Sequence, residues 1–96
     1  MSARKFAPGV MTSTPGALAA LTPERLVQVL QLHLSGDWGA VCAEDRQTND
    51  AALLHGARLL SVYPIDPTRP AEDDNCVWVI TEADRSATTV LLPEEY

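Results

Sequence analysis

The sequence predicts an α+β domain: two or three N-terminal helices packed on a three-stranded antiparallel sheet that ends in a C-terminal β-hairpin. Three observations carry this. The helix-start device Thr-Pro occurs twice, at Thr14-Pro15 and Thr22-Pro23, and apolar residues recur behind it at helical spacing. The second half holds three β-rich runs, Ala57–Tyr63, Cys76–Thr81 and Ala87–Leu92. The last two are separated by a short polar tip, Asp84-Arg85-Ser86, as in a hairpin.

Each element has a local cause. Phe6–Thr12 is short and partly apolar, with Pro8-Gly9 marking a turn; we expect an extended arm or an edge strand within residues 1–13, and a single domain over 14–96. Thr14 is a helix N-cap with Pro15 in the first turn, and Ala17 to Leu21 fill a short helix. Thr22 and Pro23 start a second, with Glu24 at the positive end of its dipole. Leu26, Val27, Leu30 and Leu34 form its apolar stripe, and Ser35-Gly36 stops it. Trp38 follows in a tight Gly-bounded loop and is expected to plug the edge of the core. Ala43–His55 is polar first and apolar later. It fits one helix docking through its second half, or a separate short helix capped at Asn49-Asp50, with Gly56 as the stop. Leu59, Leu60, Val62 and Tyr63 put apolar groups on both faces of a strand, so that strand is expected to be central. Pro64–Asn75, with three prolines and the run Glu72-Asp73-Asp74, reads as a long exposed loop. Val77, Val79 and Thr81 share one face of the next strand; Trp78, Ile80 and Glu82 share the other.

Composition restricts the function classes. An apolar fraction of 46% suits a folded domain, and 96 residues suit one core. The net charge of −6 repels nucleic-acid phosphates and favours a basic protein partner. No apolar run approaches the roughly 20 residues of a membrane-spanning helix. The N-terminus lacks a signal-peptide core, so a cytoplasmic protein without membrane contact is expected. Cys42 and Cys76 are expected as reduced, semi-buried side chains, unless the fold brings them together. His33, His55, Cys42 and Cys76 lack metal-ligand spacing, and no metal is expected. His33 lies near a helix end, where a cation is favoured. Neither a Gly-rich phosphate loop nor a nucleophile motif occurs, so no cofactor is implied.

The ending Trp78-Val79-Ile80-Thr81-Glu82-Ala83-Asp84-Arg85-Ser86-Ala87-Thr88-Thr89-Val90-Leu91-Leu92-Pro93-Glu94-Glu95-Tyr96 resembles a group of small bacterial proteins carried by plasmids, integrative elements and phages. Thr14–Leu18, Ser35–Gly39 and Gly56–Tyr63 are similar to that group as well. The resemblance implies an accessory protein of a mobile element that acts by binding another protein, as an inhibitor of a host defence system or a regulator. A second similarity is to the C-terminal half of barnase-like ribonucleases. It implies RNA cleavage with Glu44 as the base and Arg58 on the phosphate. Arg85 stands where those enzymes carry an acidic His. Arginine holds its proton at neutral pH, so it cannot replace that acid, and His55 is the nearest candidate for the role.

At the hairpin tip the Arg85 guanidinium with the Ser86 and Thr88 hydroxyls form a candidate donor set for a phosphate or carboxylate. The structural alternatives are an Arg85 pair with Glu82 or Asp84, and Arg58 half-buried against Glu82 or Asp50. A homodimer through edge-to-edge pairing of the hairpin strand is a further expectation.

Overall fold

A computed structural model describes residues 4–96. Strand β1 (Val10–Ser13) leads into helices α1 (Pro15–Ala20), α2 (Pro23–Leu34) and α3 (Ala43–His55), followed by β2 (Leu59–Tyr63), β3 (Val77–Thr81) and β4 (Ala87–Leu91). A 3-10 turn, Pro93–Glu95, closes the chain. Among the described residues the fold is α+β, with three helices and one sheet in the order β1-β4-β3-β2.

The sheet has four strands and is mixed, which corrects the expected three-stranded antiparallel meander. β2 and β4 pair antiparallel to β3, while β1 runs parallel to β4. The extra strand comes from the N-terminal arm. Val10 N–H donates to Ser86 O and Thr14 N–H to Val90 O, each at 3.0 Å. The arm reaches that position through Gly9, whose φ of +67° only glycine tolerates cheaply. A Cβ there would lie 2.3 Å from Ser86 O.

Both predicted Thr caps hold. The Thr14 hydroxyl accepts from Ala17 N–H (3.3 Å) and the Thr22 hydroxyl from Arg25 N–H (3.1 Å). α3 is one continuous helix, started by the Cys42 sulfur on Asp45 N–H and ended by Gly56 at φ +69°. α1 and α2 cover one sheet face. There Ala17, Leu21 and Val29 pack with Tyr63, Val77, Val79 and Val90. α3 joins Trp38, Ala52 and Leu59 in a second cluster beside the first. The buried stripe of α2 is centred on Val29 and His33, whereas Val27, expected in the stripe, is 51% exposed.

β2 is an edge strand, not the expected central one. Its outer edge is nevertheless covered. Asn49 of α3 donates to Leu60 O (2.7 Å) and accepts from Leu60 N–H (3.2 Å), copying a neighbouring strand. Beside it Ala40 N–H donates to Val62 O and Val62 N–H to Trp38 O. This bridge needs Gly39, at φ +74°, where a Cβ would lie 2.0 Å from Val62 O. The hydrophobic two-faced pattern of β2 therefore reflects a covered edge as much as a central place.

The 64–75 loop is ordered by Asn75. Its buried amide donates to the carbonyls of Asp66, Arg69 and Pro70 and accepts from Asp66 N–H at 2.7 Å. Glu72, Asp73 and Asp74 stay exposed at its end.

Candidate functional site

The residues singled out for ribonuclease chemistry sit in different parts of the molecule. Glu44 is exposed in the first turn of α3. Arg85 reaches the other end of the same helix, where it binds Ala52 O; eight residues of helix separate the two levels, about 12 Å of rise. Arg58 lies exposed beyond the start of β2, and its guanidinium donates to the Tyr96 hydroxyl (2.8 Å) and covers the Tyr96 ring at 5.2 Å. His55 is exposed in the last turn of α3.

Arg85 is half-buried and fully engaged by its own protein. Its guanidinium donates to the carbonyls of Ala57 (2.6 Å), Ala52 (3.0 Å), Glu82 (3.1 Å) and Ala83 (3.3 Å). Ala52 O lies in the last turn of α3, and Ala57 O just beyond its cap. A cation there complements the negative end of the helix dipole. It pairs with no carboxylate, so both expected ion pairs, with Glu82 and with Asp84, give way to carbonyl contacts. Thr88 is fully buried, and its hydroxyl donates to Pro8 O at 2.8 Å. Of the three candidate donors at the tip, only Ser86 is exposed.

The buried polar centre of the protein escaped sequence reasoning. His33 is 0% exposed, as are Ser61, Thr81 and Thr88. Its Nδ1 lies 2.5 Å from Ser61 Oγ and its Nε2 2.8 Å from Thr81 Oγ1; Thr81 Oγ1 is 2.7 Å from Thr88 Oγ1. The direction of this chain follows from its end. Pro8 O can only accept, so Thr88 donates to it. Thr81 then donates to Thr88, and His33 Nε2–H donates to Thr81. Nδ1 is left to accept from Ser61, and the imidazole is neutral. Burial, aided by the Arg85 charge, pushes its pKa down from 6.5 to about 4. The expected cationic helix-end histidine is thus a neutral core histidine. The legible signal was its place four residues after Val29 on the core stripe. Enclosed on all sides, this Ser-His pair has no room for a substrate.

Among the described residues, no group of three or more His, Cys, Asp or Glu is placed to hold a metal ion. Cys42 and Cys76 are both free thiols, the first exposed and the second partly buried. Among the described residues no helix is long and apolar enough to cross a membrane. A concavity of about 620 Å³ runs along α2 beside Arg4, Gln28 and Gln31. Its lining has no carboxylate, His or Cys; its Ser35 hydroxyl donates to Leu32 O and its Arg25 to Pro64 O, both at 2.8 Å.

One extended surface remains, the sheet face opposite α1 and α2. Cross-strand register places Leu60, Val62, Trp78, Ile80, Thr89 and Leu91 on it. None of them belongs to the helix-packed clusters; Ile80 and Leu91 are nonetheless buried, while Leu60, Val62, Trp78 and Thr89 are half-buried. Val10, 66% exposed, extends the face onto β1, where Thr12 and Thr89 join hydroxyls at 3.0 Å. Tyr96 meets Trp78 edge-on at 5.5 Å and reaches Arg58 with its hydroxyl, yet stays 67% exposed.

The charges of the molecule are unbalanced. Arg25, Arg46, Arg58 and Arg85 all donate to carbonyl, amide or hydroxyl oxygens of the chain itself. The single salt bridge among the described residues joins Asp66 to Arg69. The acidic surplus therefore faces solvent largely unpaired.

Comparison with protein-family models, with curated proteins and with solved structures finds no match to this chain.

Proposed function

We propose that this chain is a non-enzymatic, protein-binding accessory protein of a bacterial mobile element, and that its docking surface is the open sheet face around Trp78. The observation that carries this reading is the helix-free apolar face on which Leu60, Val62 and Trp78 are half-exposed beside the buried Ile80 and Leu91, with Val10 and Tyr96 exposed at its margins. A contiguous apolar surface of this kind on a small domain marks an interaction site more often than a solvated face. An aromatic centre with an arginine beside it has the composition of an interface hot spot. The acidic surplus makes a basic-rimmed partner the electrostatic complement and disfavours nucleic acid. The similarity of the Trp78–Tyr96 ending to mobile-element proteins supports the accessory role, as a defence inhibitor or a regulator.

The test is a comparative pull-down from host lysate. Wild type and a Val27→Glu control, altered on the exposed side of α2, should retain the same basic protein; Val62→Glu should lose it. Retention by Val62→Glu excludes this face. RNA cleavage by the pure protein, lost on Arg58→Ala with the fold intact, would instead establish the ribonuclease reading.

A further inference from the structure

The N-terminal arm is fastened around His33. Lys5 N–H donates to Leu34 O at 2.7 Å, one residue beyond His33. The Phe6 ring meets the imidazole edge-on at 5.4 Å, and Trp38 meets it at 5.8 Å. The Arg85 guanidinium lies 5.6 Å from the centre of the Phe6 ring. Pro8 O ends the hydroxyl chain that begins at Ser61 and passes through the imidazole. Beyond Gly9 the arm continues as β1, four residues whose Val10 and Met11 are exposed.

Enclosed and without a carboxylate partner, the imidazole is favoured in its neutral form. A proton on Nδ1 would meet the hydroxyl that now donates to it, and Ser61 would have to turn its own proton away. No carboxylate bonds to either ring nitrogen. The charged group that reaches the imidazole is Arg85, from the hairpin tip, and its sign is the same. The other ionisable groups around the site are engaged elsewhere. The Lys5 side chain lies over Gly36, Asp50 of α3 holds the Trp38 indole N–H at 2.9 Å, and the Tyr63 phenol donates to Asp37 O. Burial holds the Tyr63 phenol far above its ordinary range, so it stays neutral.

We propose that His33 is an acid switch for the N-terminal arm: while Phe6 and the Pro8 link hold the arm in place the enclosed imidazole stays neutral, opening the arm admits water and a proton to it, and acid therefore releases Lys5–Ser13 before the rest of the domain unfolds. The arm goes first because it is the least secured part of the sheet. β2, β3 and β4 are joined in antiparallel pairs under the helices, while β1 is short, parallel and exposed on its outer side. Release would turn β4 from an inner strand into an edge strand with free backbone groups. The low pKa of His33 fits this behaviour and sets the range in which it operates. The proposal is independent of the docking reading.

Amide hydrogen exchange by NMR tests it. Between about pH 6.5 and about pH 4, protection of Val10 and Thr14, corrected for intrinsic rates, should fall up to roughly tenfold per pH unit and stay well below that of β3 amides, which open only with the whole domain. The same amides in His33→Gln should show flat protection over that range. Thr88→Val, which cuts the link to Pro8 without a titrating change, should weaken arm protection already at neutral pH. Equal protection of the arm and β3 at every pH means that both open only by global unfolding and overturns the proposal. Flat arm protection in wild type, or unchanged arm protection in Thr88→Val, overturns it as well.

Discussion

Arg85 adopts the left-handed conformation, φ +62°, in a tight turn where glycine or asparagine is usual. The strain, on the order of 1 kcal/mol, aims its guanidinium at four carbonyls around the end of α3. Removing the side chain should cost more than the strain returns. We expect Arg85→Ala to destabilise by about 2 kcal/mol in urea unfolding. Arg85→Gly should recover roughly 1 kcal/mol of that loss by relieving the backbone. If glycine were no better than alanine, the strain would be absent. His33 supplies a second residue-scale prediction. Its folded pKa of about 4 lies below the ordinary value of 6.5, so between those values the unfolded chain binds the extra proton. Stability is then full above about pH 6.5, falls with decreasing pH, and has lost roughly 3 kcal/mol from this group near pH 4. Urea midpoints across that range should show the loss, with His33→Gln lacking it. At the opposite end of the chain Glu95 bridges the Thr14 hydroxyl, Leu92 N–H and Gly16 N–H, contacts that hold its carboxyl below the usual range.

At the scale of elements, the two sheet edges differ. The β2 edge is filled by Asn49 and by the Trp38–Ala40 bridge, while β1 presents an uncharged outer side only four residues long. Shortness is one recognised way to blunt an edge; covering is the other. Asn49→Ala uncovers β2 at Leu60 and leaves both of that residue's outward backbone groups without the amide. Loss of about 2–3 kcal/mol in denaturant unfolding is expected. Gly39→Ala should cost at least about 2 kcal/mol, since the added Cβ meets Val62 O and the left-handed φ disfavours any side chain. Native-like stability of Gly39→Ala would mean that the bridge to β2 contributes little. The element order also bears on the edge-to-edge pairing expected of the hairpin strand. β4 lies between β1 and β3, so the hairpin strand offers no free edge for pairing with a second copy while the arm is in place.

On the scale of the whole molecule, two features combine: a sheet covered by helices on one face only, and arginines spent on neutral oxygens while acids face water. A partner that buries apolar surface and supplies basic side chains satisfies both. Truncation of Trp78 to alanine is expected to weaken such a complex by at least tenfold while the fold survives, measured by titration calorimetry with the captured partner. An unchanged affinity would move the interface elsewhere on the surface.

The helix caps, the hairpin and the burial of Trp38 were legible in the sequence because each depends on neighbours close along the chain. Thr14 and Thr22 cap residues three positions ahead, and Asp84 with Ser86 shapes a turn of a few residues. Local chemistry of this kind determined the element types and the α+β class. Only the tertiary structure decided the rest. Val10–Ser13 becomes a parallel strand because β4 offers it an open edge, and parallel partners are distant in sequence. His33 becomes a neutral link because Ser61 and Thr81, 28 and 48 residues away, surround it. Glu44, Arg58 and Arg85, which one family pattern would unite, are held apart by α3 and the sheet. Polar side chains take their roles from the groups that burial brings to them, and those groups come from remote parts of the chain.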